Sequence, residues 1–341
     1  MQRSMRPLAI LALGVALSCS KNEAPTTTPS DATTAASTDG SEPNSDRPDL
    51  DLPPQLQQRL DQTEAKSKEI AARWTPEMVE GMATLTGTPF ASTDAALDAV
   101  LASPHRTPGN ADRDQYRHPK ETLKFFGFRP DMKVFEYAQG GGWYTEILAP
   151  ALANQGLLKL AGYDASSEDA THRYGARAME LFIESPGNLY DKVELVTQGE
   201  LTGPPVFGEP DSLDMILVVR MFHNIERAGM WDGLMPSIHA ALAPGGVLGV
   251  VQHRAADDAD PAQTANTGYL PEPWLVKKVE SYGFRLEARS DINANAKDTK
   301  DYEKGVWTLP PTLALGDQDK DKYVGIGESD RSTLKFVKVA K

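Results

Sequence analysis

From residue 119 onward the chain alternates short, mostly continuous apolar runs with amphipathic stretches, and that alternation restricts the possible folds more than any other feature. The runs include DMILVV at 214–219 and GVLGVV at 246–251. A strand with one wet face alternates apolar and polar residues. A run without alternation is buried on both faces, as in a parallel sheet covered by helices. The pattern predicts helices over 119–127, 143–153, 167–183, 227–242 and 271–282. It predicts strands over 132–138, 157–163, 193–197, 213–219, 246–253, 284–290 and 333–339. The expectation is an α/β fold whose seven-stranded, mostly parallel sheet carries helices on both faces.

The amino-terminal third has a different character. Residues 1–19 read MQRSMRPLAILALGVALSC, with Arg3 and Arg6 ahead of an apolar run from Leu8 to Leu17. That run is too short to span a bilayer comfortably and has the length of a signal-peptide core. Ser18 then precedes Cys19, the one cysteine of the chain, which excludes an internal disulfide and a CxxC metal site. The segment resembles a bacterial lipoprotein signal. The resemblance implies export and attachment to a membrane through a lipid on Cys19, with cleavage by signal peptidase I as the alternative. Ser20 rather than Asp follows, so the implied location is the outer membrane, facing the periplasm. Residues 20–55, rich in Ser, Thr and Pro, read as a disordered tether, because they cannot bury enough surface to offset chain entropy. Residues 56–118 read as a helical extension, with helices at 76–84 and 93–102, followed by the polar loop SPHRTPGNADRDQYRHP. The main domain is expected over 119–341.

Charge narrows the partners. The chain has 35 basic and 48 acidic residues, a net charge of −13, with no dense basic stripe. Nucleic-acid binding depends on clustered Lys and Arg, so it is not expected. The six histidines show no HxH or HxxxH spacing, which argues against a metal site. Asp317, Asp319 and Asp321 alternate as in a calcium loop, with Glu328 at the twelfth position, but Lys322 stands at the sixth, where the sharp turn needs Gly, so an EF-hand is rejected.

The most informative string is Glu136-Tyr137-Ala138-Gln139-Gly140-Gly141-Gly142, which links the strand KVFEYAQ to the helix opening in WYTEILAP. A strand end, a glycine-rich turn and a helix start form a cradle for a nucleotide-like ligand. A dinucleotide fingerprint needs G-x-G-x-x-G. Counted from Gly140 and Gly142, the third glycine falls on Thr145; counted from Ala138 and Gly140, it falls on Trp143. A dehydrogenase is thereby disfavoured.

The spacing acidic-x-[G/A]-x-G-x-G does fit, and it resembles the first motif of class I S-adenosylmethionine-dependent methyltransferases. FHN, PGGVLGVVQHR, DINANAKDTKDYEKGVWTLPPT and GESDRSTLKFVKV extend the likeness to a family of bacterial exported predicted methyltransferases, over roughly 100–341. The resemblance implies a Rossmann-like class I methyltransferase fold with an antiparallel last strand. It implies S-adenosyl-L-methionine as cofactor and an unidentified, small-molecule methyl acceptor. Cofactor-binding positions are then Glu136 beside the methionine amino group and Ala138, Gly140 and Gly142 in the turn. Asp164, 22 residues after Gly142, would face the ribose, and Glu200 the adenine. Ala138 stands where many such enzymes have Gly.

Catalytic positions in open α/β sheets lie beyond the carboxyl ends of the strands. Arg220, His223 and Asn224 follow the fourth predicted strand, His253 and Arg254 the fifth, and Asp330 and Arg331 precede the seventh. A histidine there could act as a general base. A structural loop histidine for His223 and a rim salt bridge for Arg254 are the competing readings, as is a simple helix cap for Asp164. His105, Arg106, Arg117 and His118 could close over a ligand from the polar loop. The insert at 292–331 would lie over the substrate side. The competing reading of the whole is a non-catalytic, lipid-anchored ligand-binding protein on the same fold.

Overall fold

The computed structural model describes residues 50–184, 186–199 and 203–339. Cys19 with its signal peptide, the tether up to residue 49, and Glu200 lie outside the described residues.

Three helices open the described chain: α1 (Pro54–Ala72), α2 (Pro76–Gly87) and α3 (Thr93–Ala102). The short α4 (Asp114–Arg117) and α5 (Pro119–Phe126) follow. The alternating part then runs β1 (Lys133–Tyr137), α6 (Thr145–Leu152), β2 (Leu157–Gly162), α7 (Ala170–Ile183), β3 (Glu194–Thr197) and β4 (Leu213–Val219). It continues with α8 (Phe222–Ala228), α9 (Trp231–Ala241), β5 (Leu242–His253), α10 (Pro261–Thr264), α11 (Glu272–Glu280) and β6 (Phe284–Ser290). It closes with α12 (Lys320–Ile326) and β7 (Arg331–Lys338).

The sheet order is β3-β2-β1-β4-β5-β7-β6. Strands β1 to β5 pair in parallel, and β7 runs antiparallel to both β5 and β6. This is the Rossmann-like class I methyltransferase fold. Its two faces can be read from alternate residues. Phe135, Ile216, Val218, Leu248 and Val250 pack toward α8, α9 and α11. Val134, Met215, Leu217, Val247 and Val251 pack on the other face with Ile147 of α6, Leu123 of α5 and Leu97 of α3. The apolar runs are therefore continuous because both sheet faces are covered. The helical extension shares that second core and also docks α1 on α7, where Leu60 meets Tyr174 and Ala178.

Two elements differ from the periodicity reading. The helix expected over 227–242 is split into α8 and α9, because Gly229 takes a left-handed φ of 65° and Met230 N bonds back to Ile225 O at 3.0 Å. Phe222 and Trp231 then stack across the break at 4.9 Å. The split matters for the site, since it puts His223 and Asn224 on a helix rather than in an exit loop. Strand β5 begins at Leu242 rather than 246, so the Pro-Gly-Gly segment lies within it. The register shift against β4 between Leu213 and Met215 absorbs the irregularity.

Candidate functional site

The carboxyl ends of β1, β2, β4 and β5 form one rim, and most candidate residues lie along it. Glu136 is the second-to-last residue of β1, and its carboxyl points into the core face shared with α6. It is 4% exposed, and Thr145 Oγ1 donates to its Oε2 at 2.7 Å. Burial pushes its pKa up to about 8, against smaller opposing effects from the Thr145 bond and the Arg220 charge. At neutral pH Glu136 therefore holds its proton.

Immediately beyond β1 the backbone turns left-handed three times, at Ala138 (φ 55°), Gly140 (φ 58°) and Gly142 (φ 74°). The three glycines are not equivalent. A Cβ on Gly142 would lie 2.4 Å from the Phe182 ring and would have to sit on a left-handed backbone, so that position favours glycine on both counts. Gly140 and Gly141 have nothing within 4 Å of an added Cβ, so their backbone faces open space. Ala138 accepts a conformation that costs an L-residue roughly 1–2 kcal/mol. Behind the turn, Gly140 and Gly141 also border a mostly apolar cavity of about 100 Å³ walled by Trp74, Phe182, Leu189 and Tyr190.

Asp164 lies two residues past β2 and is exposed. Its Oδ1 accepts from Ser166 N at 2.8 Å and Ser166 Oγ at 2.7 Å, bonds that lower its pKa. It does not cap α7; Asp169 does, by accepting from Thr171 N. Gln198, after β3, is absorbed by structure, its side-chain amide pairing with Val206 N and O. Glu200 lies outside the described residues.

His223 and His253 come together, with ring centroids 5.7 Å apart, although 29 residues separate them. Gln252 Nε2 donates to His223 Nδ1 at 3.3 Å, and Ser329 Oγ lies 2.5 Å from His253 Nδ1. Trp307 from the insert stands edge-on to His223 at 5.9 Å, and Tyr269 edge-on to His253 at 6.1 Å. Burial lowers the pKa of His223 to about 4, and burial with the neighbouring imidazole and guanidinium charges holds His253 well below the usual range. Both rings are thus neutral and weakly basic. They can orient a ligand better than deprotonate it.

Asn224 does not join them. It lies near Met221 Sδ and Arg227 on α8. Arg254 is committed to ion pairs, forking onto both oxygens of Asp330 at 3.1 and 2.8 Å and reaching Asp291 at 2.9 Å. These bonds raise its pKa well above the ordinary value and hold the guanidinium at the rim as a tie between segments.

The polar loop before the main domain is built into the structure. His105 Nε2 donates to Glu146 O at 2.7 Å, and Arg106 Nε donates to Glu146 Oε1 at 3.0 Å. Trp143 lies between Arg106 and Arg117, whose guanidinium carbons are 5.2 and 4.8 Å from its ring centroid. Glu328 accepts from Arg113 Nε, Arg117 Nε and Arg331 Nη1, all at 2.9 Å, tying the loop to the insert and β7. His118 is a left-handed hinge between α4 and α5, with φ 40°. Glu328, Ser329, Gln252 and Tyr269 carry no mark of a site residue in the sequence. Gln252 sits at a strand end and Glu328 and Ser329 in the insert, which is their one local signal; Tyr269, between β5 and α11, has none. Among the described residues, no group of three or more His, Cys, Asp or Glu is placed to hold a metal ion.

With this geometry in view, the chain can be set beside known proteins. No family model matches it. It is 26% identical over 152 residues to the squalestatin tetraketide synthase of Phoma sp. (strain C2932), a match covering 44% of this chain and 5% of the synthase. Among solved structures, a SAM dependent methyltransferase from Aquifex aeolicus is 15% identical, with a TM-score of 0.42 over 67% of this chain and 93% of that one. An O-methyltransferase family protein from Burkholderia thailandensis is 16% identical, with a TM-score of 0.40 over 73% and 60% respectively.

The buried acid gives a pH signature. Between its unfolded pKa of 4.5 and its folded pKa of about 8, the folded state keeps a proton that the unfolded state has lost. Stability therefore falls as pH rises through that window, by on the order of a few kcal/mol, and levels off above it. Glu136→Gln removes this titration. Urea unfolding at pH 5 and pH 8.5 should show the variant gaining on the wild type at the higher pH. Equal differences at both pH values would mean that Glu136 is ionised in the folded protein.

Proposed function

We propose that this chain binds S-adenosyl-L-methionine at the turn after β1 and transfers its methyl group to a small-molecule acceptor. The observation that carries the reading is Glu136, a buried, protonated acid beneath a left-handed glycine turn whose outer face is open. The residues present fit such a nucleoside. Backbone at Gly140 and Gly141 allows close approach, and Glu136 would take the amino group. Asp164, whose two bonds both go to Oδ1, would offer Oδ2 to the ribose hydroxyls.

The cofactor would supply an electrophilic methyl on a sulfonium, which needs in-line positioning of the nucleophile more than a strong base. The chain's own residues suit that demand. Neutral His223 and His253, flanked by Trp307 and Tyr269, form an apolar, hydrogen-bonding wall for an acceptor. They would orient it without competing for the proton. Glu200, by the same reading, would lie near the adenine.

Calorimetry of the full chain with S-adenosyl-L-methionine should show saturable binding at micromolar concentration. Asp164→Asn should weaken it at least tenfold, the usual effect of losing a hydrogen bond to a charged group. Heat equal to dilution alone would remove the reading.

The proposal includes a location. The signal-like segment ending at Cys19 supports an exported chain held at the outer membrane by a lipid. Cys19→Ala should then move the protein from the membrane fraction to the soluble one and leave an unprocessed, larger form on a gel. Unchanged size and fractionation would remove the anchor.

A further inference from the structure

Arg220 is the first residue past β4, and it is held in a left-handed conformation, with φ 57°. A non-glycine residue is strained in such a backbone, and residues held this way cluster at functional sites. Its amide is fixed by a 2.6 Å bond to Val251 O. Its guanidinium is half-buried and has no hydrogen-bond or ion-pair partner among the described residues.

Its charged surroundings are unbalanced. Arg113, Arg331 and Glu328 act on it electrostatically, and it acts in turn on Glu136, His223 and His253. Glu328 is already occupied by Arg113, Arg117 and Arg331. Glu136 and the two imidazoles are uncharged at neutral pH, for the reasons given above. Four guanidiniums therefore share the one carboxyl group of Glu328. Arg117, 3% exposed, also has a buried Nη2 with no partner. Half-buried positive charge without a counter-ion is costly, and an oxyanion would relieve it. This excess is local, in a chain whose net charge is −13. It lies toward β4, β5 and β7 with the histidine pair, whereas Asp164 follows β2, on the other side of β1.

We propose that Arg220, backed by Arg113 and Arg117, is a carboxylate-binding subsite for the acceptor, so that the substrate of this chain is a small carboxylic acid. The inference rests on the nucleoside reading for its chemistry, but the arginine cluster can be tested without it. The guanidinium fork holds the carboxylate and the neutral histidine wall receives the rest of the molecule. The methyl-accepting atom then lies at a set distance from that anchor.

The probes are malonate and its uncharged counterpart malonamide, added to the full chain with and without S-adenosylhomocysteine and followed by thermal melting. Malonate should raise the melting temperature and malonamide should not. Arg220→Gln should weaken the malonate response about tenfold or more while leaving S-adenosylhomocysteine affinity unchanged. Arg220→Lys, which keeps the charge without the fork, guards against a folding defect and should retain part of the response. Equal stabilisation by malonamide, or an undiminished malonate response in Arg220→Gln, would overturn the subsite. A variant that loses S-adenosylhomocysteine instead would overturn it too, because Arg220 would then serve the nucleoside's own carboxylate. If the wild type ignores S-adenosylhomocysteine but the malonate arm behaves as expected, the nucleoside reading fails and the carboxylate subsite stands.

Discussion

A carboxyl group buried at the end of a central strand, with one hydrogen bond from Thr145, organises this molecule. Core positions of β1 are otherwise apolar, and an acid at Glu136 lowers stability at neutral pH rather than raising it. Nothing in the packing of the sheet calls for it. Its neighbours make sense of it: the next residues form a left-handed turn with open backbone, and the opposing helix start supplies the one donor. On the proposed reading, a neutral acid in such a place would ionise against a cation that reaches it.

The surroundings keep that turn in place. Glu146, in the first turn of α6, holds the polar loop through Arg106, Thr107 and Asn110. Glu328 holds the same loop from the other side through Arg113 and Arg117. Trp143, the residue after the last glycine, is gripped between two guanidiniums and bonded to Asn110 O at 2.9 Å. The segment that looks like a lid in the sequence is therefore a brace. It fixes the glycine turn and sets the arginines beside the mouth of the site.

The sheet was legible because burial on both faces writes itself into each strand as an unbroken apolar run, as in β4 and β5. Glu136 and the glycines were legible because a tight turn confines its chemistry to seven consecutive residues. The break between α8 and α9 leaves no mark in the periodicity because Gly229 falls within an otherwise helical pattern; its left-handed φ and the Phe222–Trp231 stack belong to the folded chain. Arg254 reads in sequence as a rim residue with two possible roles, and its fork onto Asp330, 76 positions away, decides between them. The Glu328 hub joins residues 211 and 215 positions apart, and such partners leave no local pattern. Arg220 was noted as a strand-end residue, but its lack of a partner is a property of the folded molecule alone.

On the proposed function, Glu136 carries a proton until a cationic nucleoside binds beside it. The most direct test is an infrared difference spectrum of the full chain at pH 7, recorded as S-adenosyl-L-methionine is added, with Glu136→Gln as the control. One protonated-carboxyl band should disappear in the wild type as a carboxylate band grows, and neither change should occur in the variant. A ligand that binds while the carboxyl region stays unchanged would contradict that reading.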